Sequence, residues 1–338
     1  MTQFTRLLII SLLLGSWVPS PAQTKKRSAR VASQPIVRER DVRAELGFLA
    51  SDAMQGRGSG TNFERLAAEY IGSQFRQFGL EPAGDLDESG SKGFVQRVEL
   101  VGATNADATG ATWNVVGLLR GSDPKLAHET IMLSAHLDHL GVNEAATGDR
   151  IFNGADDDAS GCVAVMELAR ALATGPRPKR TVYFICFGSE ERGGLGSRYF
   201  VANLPIPLEN VIADITFEML GRPDPKVPAN TLWLTGYERS TLGPELARHG
   251  ALLVADPHPE QHFFQRSDNY TLALRGIVAH TISSFGLHAD YHRPSDDLSK
   301  IDFAFMTRTI GSMIKPIRWL ADSSFKPSWL PGQSPKRS

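Results

Sequence analysis

Thr130-Ile131-Met132-Leu133-Ser134-Ala135-His136-Leu137-Asp138-His139-Leu140-Gly141 begins as an apolar run and ends in a histidine, an aspartate and a second histidine. A continuous apolar run marks a strand buried on both faces rather than one lining a wet surface. Imidazoles and carboxylates at the end of such a strand are poor core material and good metal ligands. Two residues apart on an extended chain, His136 and Asp138 share one face. There His136 can ligate a cation while Asp138 orients a neighbouring group from behind. Taken alone, the pair reads equally well as hydrogen-bonded polar residues at a strand end.

The chain around this stretch alternates strand and helix. Further strands are predicted at 94–100, 114–119, 181–187, 211–219, 231–235 and 277–282, several of them continuously apolar. Helices are predicted at 63–78, where Phe63, Leu66, Tyr70, Phe75 and Phe78 recur at helical spacing before Gly79, and at 160–173, 240–250 and 303–321. Val42, Leu46 and Leu49 start another helical pattern near 42. Such alternation predicts an α/β protein with a mainly parallel sheet covered on both faces. The glycine-rich stretch 52–61 lacks the Gly-Lys-Ser/Thr ending of a phosphate loop and follows no apolar strand, so that reading is rejected.

Hydrophobic residues make up 41% and charged residues 22% of the 338, the make-up of an ordinary globular protein with a large core. A net charge of −1 argues against a nucleic-acid partner. Arg6, the apolar run 7–14 and the small-residue exit Ser20-Pro21-Ala22 read as a signal peptide, 1–22, cut near Ala22. That places the mature protein outside the cell or in the periplasm, with no stable membrane span in it. Residues 23–41, with Lys25, Lys26, Arg27 and Arg30, read as a flexible lead-in; 42–325 as one domain; and 326–338 as a loose tail. Cys162 and Cys186 fall in apolar stretches and read as buried hydrophobes, with a disulfide between them left open.

In open α/β sheets the binding crevice lies at the carboxyl ends of the strands. Four further clusters of acids or histidine fall there. Asp156-Asp157-Asp158 precedes the helix at 160; Asp158 reads best as an N-terminal helix charge, and one of the three can bridge two cations. Glu190-Glu191 follows the strand 181–187, and adjacent glutamates point different ways, so one can bind metal while the other takes a proton from water. Glu218 ends the strand 211–219, and His292 stands in Asp290-Tyr291-His292-Arg293-Pro294-Ser295-Asp296-Asp297. Together they form a mixed nitrogen and oxygen set suited to zinc.

These stretches, SAHLDHLG, NGADDDASG, GSEERGGLGS, FEMLGR, RSDNY and YHRPSDD, resemble the M28 family of zinc exopeptidases in content and order. The resemblance implies a three-layer α/β/α zinc-dependent exopeptidase fold with a central mixed, mostly parallel sheet. It implies two zinc ions, with His136 on one, His292 on the other and Asp157 bridging. It makes Glu190 the general base, Glu191 a ligand alongside His292, and Glu218 a ligand alongside His136. The family most often has Asp at the position of Glu218, and Asp214, four residues earlier, is the fallback. Asp138 stands behind the metals, His139 reads as structural, and Asp268 as scaffold support. Tyr291 reads either as a contact to the reacting group or as a packed side chain.

The implied activity is aminopeptidase hydrolysis of peptides with a free N-terminus. Two other readings stand beside it: a one-zinc acyltransferase like the glutaminyl cyclases of the same fold, and a non-catalytic binding domain on a peptidase scaffold. The side-chain preference and oligomeric state are not legible.

Overall fold

The computed structural model describes residues 36–336 except 88 and 101–108. The signal segment and most of the lead-in lie outside the described residues. Helix α1 is Glu39–Leu49 and α2 Asn62–Phe78. The first strands follow: β1 Glu81–Pro82, β2 Val95–Glu99, β3 Ala111–Leu119 and β4 Thr130–His136. A small ribbon of β5, Gly141–Val142, and β6, Ile151–Phe152, precedes α3, Gly161–Ala173. Next come β7 Thr181–Phe187, α4 Leu195–Ala202, β8 Val211–Phe217 and β9 Leu232–Leu234. The chain closes with α5 Leu242–Arg248, β10 Leu253–Ala255, α6 Asn269–Ala273, β11 Ala279–Ser283 and α7 Phe303–Asp322.

One nine-stranded sheet runs β1-β3-β7-β4-β8-β11-β9-β10, with β2 also on β3. Its centre, β7-β4-β8-β11, is parallel, and β9 and β10 pair parallel to each other. The β1, β2 and β3 side joins antiparallel, as does β9 to β11. The sheet is therefore mixed, with the expected parallel character concentrated where the site lies.

Alternation of side chains explains the continuous apolar runs. On β7, Val182, Phe184 and Cys186 enter the core beneath α1, α2, α3, α5 and α7, while Tyr183, Ile185 and Phe187 enter the core beneath α4 and α6. Both faces are thereby buried, giving three layers. Helix α2 begins where Thr61 Oγ1 accepts from the Glu64 N–H and ends at Gly79 in the left-handed region. The thiols of Cys162 and Cys186 are buried and unpaired. No helix among the described residues is long and apolar enough to cross a membrane.

Two expected boundaries move. Order begins before 42, because α1 starts at Glu39 and Val37 is already buried. The segment expected as a loose tail is tied down: Trp329 pairs with Ser240, its indole N–H donates to the Gly276 carbonyl, and its ring packs on His280 and Phe264. An isolated tryptophan in a proline-rich segment carries no period, so its apolar area was invisible to pattern reading.

Candidate active site and metal centre

The parallel ladder between β4 and β8, in register at Ser134 and Thr216, brings His136 and Glu218 side by side as the two strands end. Asp157 approaches from the turn that starts α3. That turn requires Gly154 in the left-handed region, where a Cβ would strike the Asp157 carbonyl oxygen at 2.2 Å and the His139 ring at 2.6 Å. Glu190 and Glu191 stand on the turn after β7, and His292 in the loop after β11.

His136 Nδ1 lies 3.2 Å from the Asp138 carbonyl oxygen, which takes its proton and turns the Nε2 lone pair toward Asp157 Oδ1 at 3.1 Å. On the other side, His292 Nε2 stands 3.2 Å from Asp157 Oδ2 and 3.3 Å from Glu191 Oε2. Ligands held at 2.0–2.1 Å on a tetrahedral zinc stand about 3.3 Å from one another. His136 Nε2 and Glu218 Oε2 are buried without hydrogen-bond partners among the described residues. Donor atoms of His136, Asp157 and Glu218 fall within 4.8 Å of one another, and so do those of His139, Asp157 and Glu191. Two donor groups thus share Asp157, an inner one with His136 and Glu218 and an outer one with Glu191 and His292. Nitrogen and oxygen donors with unpaired atoms in this spacing fit zinc.

The electrostatics favour positive charge here. Burial works against a charged His136, yet the carboxylates of Asp138, Asp157 and Asp158 around it outweigh this and raise its pKa well above the ordinary value. Burial raises Glu190 well above the usual carboxylate range; His136 opposes this, while Glu218, Asp268 and Glu191 add to it. Glu218 is pushed up to about 7, chiefly by burial.

Asp138 is fully buried behind this group. Its Oδ1 accepts the Glu190 N–H at 2.9 Å, and its Oδ2 accepts from the Ser59 hydroxyl. It holds the backbone of Glu190 rather than reaching forward. Asp158 Oδ1 accepts from Gly161 N at the start of α3 and from Met219 N, both at 3.0 Å, and its Oδ2 from His136 N at 3.2 Å. It joins the ends of β4 and β8. Asp214, the fallback, is bound to the hydroxyls of Ser134 and Thr216 at 2.9 Å in the middle of β8 and belongs to neither donor group. Tyr291 stacks on His292 with ring centroids 3.8 Å apart. Asp268 is buried with neither carboxylate oxygen hydrogen-bonded among the described residues, and burial pushes it up to about 7.

Several residues that shape the site escaped the sequence. Arg57, in the glycine-rich stretch, is buried and donates to the carbonyls of Leu137, Leu49, Asn153 and Gly154 at 2.7–3.0 Å. It clamps the His136 loop to the Asp157 turn. Arg222 bridges Asp290 at 2.7 Å and Asp296 at 3.3 Å, while the Asp296 carboxylate accepts the N–H groups of Asp156 and Asp157. His139 places Nδ1 2.8 Å from Glu191 Oε1. An arginine among glycines, and one just after an acidic strand end, were the available signals. Neither has a spacing rule. Beside the inner group, Met219, Trp233, Phe263, Phe285 and Tyr291 line an aromatic pocket that Glu218 also borders.

The family model for peptidase family M28 matches residues 114–315, and the chain belongs to that family. Leupeptin-inactivating enzyme 1 of Streptomyces exfoliatus is 28% identical over 218 residues, covering 63% of this chain and 43% of that protein. The chain spans less than half the length of the curated relatives it matches first. Among solved structures, the zinc aminopeptidase BSAP of Bacillus subtilis superposes with a TM-score of 0.63 at 17% identity, covering 86% of this chain and 96% of that one. The glutaminyl cyclase of Porphyromonas gingivalis gives 0.61 at 18%, covering 84% and 98%. The fold is therefore shared by peptidases and cyclases, and the site must decide between them.

Proposed function

We propose that the protein is a secreted zinc aminopeptidase that binds two cations and hydrolyses peptides with a free N-terminus. The observation that carries this reading is the division of Asp157: one oxygen faces His136 and the other faces His292, which in turn faces Glu191, each at the spacing of ligands on a common ion. His136, Asp157, Glu191, Glu218 and His292 would hold zinc, which when bound would supply Lewis acidity toward the scissile carbonyl and the attacking water. Glu190 takes the proton of that water and returns it to the departing amine nitrogen. Burial raises the Glu190 carboxyl above the usual carboxylate range, which makes it a stronger proton acceptor. Asp138 fixes Glu190 through the backbone, and His136 through the adjoining carbonyl.

The carboxylate surplus favours a substrate ammonium, and the pocket beside Glu218, lined by aromatic rings together with Arg266 and the hydroxyls of Thr235, Thr281 and Ser283, would receive the first side chain. Secretion is supported by the segment 1–22, and a complete inner group supports hydrolysis over one-zinc cyclisation. The test is a panel of aminoacyl, N-blocked and N-terminal glutaminyl substrates, with and without a chelator. Hydrolysis confined to free N-termini and abolished by the chelator is expected. Release of a cyclised product, or no turnover, overturns the reading.

A further inference from the structure

We propose that His139 is a positioning residue for the outer donor group: its Nδ1–H holds Glu191 Oε1 so that Oε2 is the oxygen presented toward Asp157 and His292. The inference rests on the two-cation reading above. The 2.8 Å between Nδ1 and Oε1 is shorter than the roughly 3.3 Å expected of two ligands on one tetrahedral zinc, and is the length of a charge-assisted N–H···O⁻ bond. Glu191 Oε2 remains free for the outer group, 3.3 Å from His292 Nε2. His139 Nε2 is buried with no partner among the described residues, so the proton belongs on Nδ1, where an acceptor waits.

The ring itself has little freedom. Its side chain is fully buried and packs against the backbone of Gly154 and edge-on to His292, with centroids 5.7 Å apart. The His139 N–H donates to the Arg57 carbonyl at 3.2 Å, and Gly58 bridges to His139 in the sheet sense. Glu191 stands on a turn, by contrast, and its carboxylate accepts its one hydrogen bond among the described residues from His139. The rigid imidazole therefore determines which carboxylate oxygen faces the cation.

Graded chelator competition on the zinc-loaded full chain, read as zinc released, tests this with three proteins. Wild type is expected to release two equivalents. His139→Ala is expected to release one equivalent at about 10–100-fold lower chelator, with the other unchanged. His139→Asn places an amide N–H near the position of Nδ1 and is expected to recover most of that loss. Unchanged release of both equivalents from His139→Ala overturns the role of His139 alone. An Asn variant as weak as Ala overturns the hydrogen-bond role in favour of direct ligation or packing. A single equivalent from wild type overturns the two-cation reading, and the inference with it.

Discussion

His136 and Glu218 close two adjacent parallel strands, whereas Glu191 and His292 stand on loops. The two histidines differ in exposure, 1% at His136 and 35% at His292, while Glu218 and Glu191 are both partly buried. The inner pair is placed by a backbone ladder, so its geometry comes with the sheet itself. The outer pair is placed by charge. Arg222 ties Asp290, beside His292, to Asp296, and Asp296 in turn accepts the N–H groups of Asp156 and Asp157. Two halves of one site can thus reach similar spacing by different means. They differ in what disturbs them.

The largest effect is expected beneath the inner half. Arg57→Met leaves four carbonyls without their buried donor and should cost about 3–5 kcal/mol of stability, read from urea unfolding. A loss below about 1 kcal/mol would mean that the β ladder alone fixes the inner geometry.

A smaller effect concerns the strand under Glu218. On β11, which pairs with β8, His280 is buried and neutral: Nδ1–H donates to the Thr235 carbonyl and Nε2 accepts from the Ser240 hydroxyl, both at 2.7 Å. Burial pushes its pKa down to about 4, against about 6.5 in the unfolded chain. Its contribution is whole above pH 6.5 and fades as the pH falls through 4, about 3 kcal/mol at the limit. Unfolding measured from pH 7 to 4 should show this slope in wild type and a shallower one in His280→Gln. Equal slopes would remove His280 from the account.

The smallest effect is expected at the outer half. Arg222→Leu should weaken one cation about 10–100-fold, about 1.4–2.8 kcal/mol, and spare the other. Zinc titration distinguishes this from equal weakening of both, which would show that the halves are not independent.

The inner half was the more legible in sequence, for the same physical reason that makes it rigid. Residues 130–137 are a continuous apolar run with His136 at its end, so strand and histidine are read together. Glu190-Glu191 and His292 stood out as acidic or histidine clusters, but which glutamate would bind a cation, and the ligand role of His292, came only from motif resemblance, since no period governs a loop. The supports were not found: Arg57 and Arg222 act on carbonyls and carboxylates far along the chain, and their local sequence resembles a solvated turn. Helices α4 and α6 and strand β10 were missed because eight, five and three residues are too few to show a period. Glu218 shows the reverse. Its unusual identity cast doubt on it in sequence, yet the structure aims it at the inner group while Asp214 is bound up in hydroxyl contacts.

In the proposed mechanism Glu190 moves the proton while other residues hold the cations. The most direct test of this is Glu190→Gln, with kcat and zinc content measured on the same preparation. Two zinc ions per chain and a kcat lower by about 100-fold or more are expected, because the amide keeps the size of the side chain and loses the base. Turnover near the wild-type value with both ions bound would contradict it.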